Sequence, residues 1–125
     1  MADDSVNQTR DEISDAIDKL NTLLDSDAYM EMVADINSTP EVRKKLNAQW
    51  ASRNKLTLLL FKVNAMEIKA GNAKFQALAK AMKDVNQSAQ DAADGLKKIA
   101  DRIQDAVALA KAVDQAIASA TALVK

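Results

Sequence analysis

The chain has no cysteine and no histidine. Without thiols no disulfide can staple the fold, and the redox state of its compartment leaves no mark in the sequence. Without imidazole or thiolate, the commonest general base, the cysteine nucleophile and the usual zinc ligands are all missing. The Glu-x-x-His motif of di-iron bundles is excluded for the same reason. Glycine occurs only at Gly71 and Gly95, so no glycine-rich loop can cradle a phosphate. The glutamates Glu12, Glu31, Glu41 and Glu67 form no close group, and neighbours such as Asp11 and Glu12 read as solvated surface. The expectation is a non-catalytic protein with no cofactor and no metal.

Long apolar runs are missing too. The longest strongly apolar stretch, Leu56 to Val63, contains Lys62 and covers eight residues. A membrane helix needs about 20 residues. The acidic start, Met1-Ala2-Asp3-Asp4, does not read as a signal or transit peptide. With neither a signal peptide nor a transmembrane segment in view, the expected location is cytoplasmic, with leaderless export left open.

Aromatics are confined to Tyr29, Trp50, Phe61 and Phe75, and Pro40 is the sole proline. What the chain does hold is alanine, 24 residues of 125, and a repeating apolar pattern. Alanine is the best helix former, and the aromatics that favour strands are scarce here. The fold class is therefore all-α, an antiparallel bundle of three or four helices, four being favoured.

The boundaries follow from the pattern. Val6, Ile13, Ile17, Leu20 and Leu24 share one helical face, and the register slips near Asp25-Ser26-Asp27, predicting a first segment over about 4–36 with a kink at 25–27. Thr39-Pro40-Glu41 combines a hydroxyl cap, proline at the first helical position and an acid at the positive end of the dipole. A second helix is expected over about 40–70. Gly71-Asn72 and Asp94-Gly95 are the next candidate breaks, through a left-handed glycine and a capping side chain, giving helices over about 73–93 and 96–125. The competing arrangement is one long helix from Pro40 to about Val85 that folds back once.

The C-terminal third carries the most regular pattern. Leu96, Ile99, Ile103, Ala106, Ala110, Val113, Ile117, Ala120 and Val124 alternate steps of three and four, the heptad signature of a coiled-coil-like packing seam. Its small alanines would let a partner helix come close.

Charge is segregated although the total is −1. Residues 1–40 carry −8, residues 41–83 carry +8, and residues 84–125 carry −1. One reading sets the acidic first segment antiparallel beside the basic second one. The other reserves the basic segment for an acidic partner, with Lys55, Lys62 and Lys69 spaced by seven as a stripe and Trp50 as an anchor. A phosphate backbone is disfavoured as that partner, since no nucleic-acid motif accompanies the lysines. The functional expectation is a helical protein–protein interaction module, such as an adaptor, an inhibitor or immunity-type binder, or an assembly subunit. It would act on a protein partner or a second copy of itself. The alternative is a membrane-active or peripheral membrane-binding protein such as a pore-forming component, suggested by the Leu56 to Val63 run beside basic residues.

Overall fold

The computed structural model describes residues 4–35 and 38–125. Ile36 and Asn37, at the end of the first predicted segment, lie outside the described residues. Five helices make up the fold, and no strand occurs among the described residues: α1 (Asp4–Leu24), α2 (Asp27–Ala34), α3 (Pro40–Asn64), α4 (Ala73–Ala93) and α5 (Ile99–Val124). The all-α bundle is thus formed, with the first expected segment divided into a long and a short helix.

Each break has a local cause. At the end of α1, the Ser26 hydroxyl donates to the Leu23 carbonyl at 2.6 Å and accepts from the Tyr29 amide at 3.2 Å, closing one helix and opening the next. Thr39 caps α3 by accepting from Val42 N at 3.2 Å, ahead of Pro40. Asn72 caps α4 by accepting from Phe75 N at 3.0 Å, and the Asp94 carboxylate accepts from Leu96 N at 3.0 Å in the turn before α5. The glycines do not play the expected part. Neither Gly71 nor Gly95 adopts a positive φ, so the flanking Asn and Asp make these turns.

The helices form two stacked layers, α1 beside α3 in one and α4 beside α5 in the other. α1 runs along α4, α3 runs along α5, and α4 packs most intimately with α5. Thr9 and Ile13 lie beside Met82, and Leu23 beside Ala89, so α1 and α4 run parallel. Val42 faces Ile99 and Ile103 while Ser52 faces Lys111, so α3 and α5 are also parallel. Residues 65–72 consequently carry the chain from one layer to the other across the bundle. Two arginines close helix ends: Arg10 donates to the Val63 carbonyl at 3.3 Å and the Met66 carbonyl at 2.8 Å, and Arg102 donates to the Ala92 carbonyl at 2.9 Å. A cation there meets the negative end of the helix dipole and satisfies carbonyls with no partner inside the helix.

The α4–α5 contact is lined by small residues. Ala81, Ala89 and Ala92 of α4 and Ala106, Ala112, Ala116 and Ala120 of α5 are buried. Larger groups fill the centre: Leu20, Leu24, Leu46, Leu56, Phe75, Leu78 and Leu109 are all fully buried.

The expectation that the chain has no segment fit to cross a membrane, on which the cytoplasmic location rested, is overturned by α5. This helix of 26 residues is long and apolar enough to cross a membrane, with an 18-residue window of mean hydropathy 1.4. No unbroken strongly apolar run marks it, because its hydropathy is spread over many alanines around Lys111 and Asp114. In this structure the same helix lies against α3 and α4 with its small residues in the core.

Candidate interaction surface

The acidic and basic helices do face one another, yet charge contributes little to the contact. Among the described residues, one ion pair joins α3 to the α1–α2 junction, Arg53 to Asp25 at 3.5 Å, and Asp25 is largely exposed. Such a pair contributes roughly 0–1 kcal/mol. Longer reaches hold the two helices together. Trp50 Nε1 donates to the Leu24 carbonyl at 3.1 Å, and its ring meets Tyr29 edge-on with centroids 5.3 Å apart. The Tyr29 hydroxyl donates to the Leu46 carbonyl at 2.6 Å, and burial pushes its phenol pKa up from the ordinary value. Trp50 therefore serves the junction of α1, α2 and α3, with its indole N–H already occupied.

The lysine stripe is shorter than its spacing suggested. Lys55 and Lys62 are exposed on α3, but α3 ends at Asn64, which leaves Lys69 in the connection to α4. Neither Lys55 nor Lys62 forms an ion pair among the described residues. Between them in sequence lie two large apolar side chains that face water: Leu58 is 64% exposed and Phe61 67%. At 100° per residue both project away from the buried row of Leu56, Leu60 and Val63, so angular position, more than local apolar density, would have found them. Lys44 continues the same exposed face toward the start of α3.

Along the C-terminal seam, Ala106, Ala110, Val113 and Ala120 are buried, and Ile103, Ile117 and Val124 are partly buried. Leu96 and Ile99 depart from the expectation, at 98% and 42% exposed. Leu96 sits in the Asp94 turn, before the helix begins, so the heptad phase that ran through it has no helix to act on. Leu109, Ala112, Ala116 and Leu123 are buried although outside the heptad row, because α5 packs against two neighbours and needs a wider apolar arc.

Two concavities complete the surface. A groove of about 510 Å³ between α3 and α5 is lined by Lys45, Gln49, Ser52, Lys111 and Asp114 among others. Gln49 is 3% exposed, and its Oε1 has no hydrogen-bond partner among the described residues. A smaller, more apolar notch of about 310 Å³ lies between α1 and α4 beside Arg102. Beyond the grooves, Lys97 bonds Asp105 at 3.0 Å and lies 3.9 Å from Asp91, and the Asp105 hydrogen bond leads the effects that raise its pKa. No group of three metal-ligating side chains comes together among the described residues. No protein-family profile, curated protein or solved structure matches the chain.

Proposed function

We propose that this chain is a non-catalytic helical binding module whose working surface is the outward face of α3. The observation that carries the reading is the pair Leu58 and Phe61, exposed side by side and bordered by Lys55 and Lys62. Burying a Leu or Phe side chain contributes roughly 1.5–3 kcal/mol, and the flanking ammonium groups favour a partner with acids around an apolar strip. The test is affinity capture from cells that express the chain, comparing it with the double variant Leu58→Ser/Phe61→Ser. Both positions point outward, so the variant should keep its helical circular dichroism while losing the captured protein. Capture of the same protein by both forms would end the assignment to this face.

A second reading rests on α5. A helix of membrane-spanning length and hydropathy, held in a bundle whose outer face carries Leu58, Phe61 and lysines, suits a membrane-active protein that opens on a lipid surface. Co-sedimentation with anionic vesicles at low salt is the expected result. Absence of binding there removes this reading and leaves the first intact.

A further inference from the structure

We infer that the outward face of the α1/α3 layer pairs with the same face of a second copy of this chain. The inference rests on the reading above that the Leu58–Phe61 face binds protein, and it names the occupant.

The fold leaves charge unused on both α1 and α3. On α1, Asp11, Asp15 and Asp18 are exposed at steps of four and three, which places them on one stripe. Lys19, the nearby base, turns instead toward α4, where it lines the notch beside Ala89 and Gln90. None of these three aspartates forms an ion pair among the described residues, and neither do Lys55 and Lys62 on α3. At 100° per residue the acidic stripe runs along the edge of α1 turned away from α3, and the basic stripe along the edge of α3 turned away from α1, so the two flank one surface without neutralising each other.

Their relative heights are set by contacts within the chain. Arg10 reaches Val63 and Met66, and Arg53 reaches Asn21 and Asp25. Since α1 and α3 run antiparallel between those two points, Lys62 lies within about a turn of the height of Asp11, and Lys55 within about a turn of Asp18. A two-fold axis parallel to the helices, lying in the plane of contact, carries α1 of one copy over α3 of the other and preserves height. Lys62 then meets Asp11 of the second copy, Lys55 meets Asp18, and Leu58 and Phe61 are covered between them. The opposite choice, an axis across the helices, would set aspartate against aspartate. Charge complementarity thus selects both the occupant and the symmetry, an isologous contact of the usual closed kind.

The size of the contact sets its strength. Two helices about 10 Å wide and about 30 Å long offer about 600 Å² per copy, or about 1,200 Å² in all. That is the lower edge of stable interfaces, so the pair should be reversible and sensitive to salt.

Sedimentation velocity of the purified chain across a concentration series at about 0.05 M and about 0.5 M salt tests this. The expected result is a monomer–dimer equilibrium whose dissociation constant rises at least tenfold at the higher salt. Lys55→Glu/Lys62→Glu and Asp11→Lys/Asp18→Lys should each be monomeric alone. Mixed in equal amounts they should form a heterodimer, because opposite charges then meet at both symmetry-related contacts, with native sign at one and reversed sign at the other. A chain that stays monomeric throughout, or a dimer that survives both charge reversals, overturns the inference. If the chain is monomeric and still captures another protein through Leu58 and Phe61, the binding-module reading stands while self-pairing falls. If the Leu58→Ser/Phe61→Ser variant captures everything the parent does, the α3-face assignment falls as well.

Discussion

The α4–α5 pair and the α1–α3 pair are both antiparallel, and they are joined by opposite means. Between α4 and α5 the buried side chains are largely alanine, so the backbones approach closely and many weak dispersion contacts accumulate. Between α1 and α3 the approach is wider, and Trp50, Arg10 and Arg53 reach across it to carbonyls and polar groups, with Tyr29 of α2 adding its own bond to α3. The first pair depends on side chains being small, the second on their being long. The two should therefore fail in different ways.

The largest effect is expected at the reaching side chains. Trp50→Ala removes the edge contact to Tyr29 and the hydrogen bond to Leu24, and should cost about 3 kcal/mol in urea unfolding. A loss below about 1 kcal/mol would mean that α1 and α3 do not depend on this bridge. Next in size is an insertion into the tight pair. Ala116 is fully buried, and Ala116→Leu should cost about 2 kcal/mol by forcing α5 away from its neighbours, although it adds apolar surface. Stabilisation by this substitution would show that the seam holds a cavity, and the contrast between the two helix pairs would break.

The smallest effect sharpens the comparison through pH. Tyr29 is the only tyrosine, so the ultraviolet tyrosinate band reports it alone. Its folded-state pKa is raised, so the neutral phenol is favoured in the native protein and the stability this provides is present below the unfolded pKa of about 10. As pH climbs past that value only the unfolded chain ionises, and stability should fall by about 1.4 kcal/mol per pH unit from this group. The band should appear only together with loss of helical circular dichroism, and Tyr29→Phe should remove this part of the slope. A tyrosinate signal at pH 10 in a protein that is still folded would place Tyr29 in contact with water.

Much of the fold was legible along the chain. The Thr39-Pro40 start, the slip at Asp25 to Asp27 and the turns near residues 71 and 95 are local events, governed by a hydroxyl, a ring, a carboxamide or a carboxylate acting within four positions. The surface was less legible. Leu58 and Phe61 belong to a run so apolar that density concealed their angle, and Lys69 kept its spacing while its helix ended at Asn64. Leu96 kept the heptad phase and lost the helix, because the Asp94 turn made a stronger local demand.

Residue order alone determined that the chain is helical and where most of its helices begin, because capping and periodicity are short-range physics. Only the tertiary structure decided which helix lies beside which. It laid α3 along α5, α1 along α4, and the α3–α4 connection across the bundle. It also left the opposite charges of α1 and α3 largely unpaired, with Leu58 and Phe61 in water. Those outcomes depend on how all the apolar faces share one interior, a condition no single segment contains.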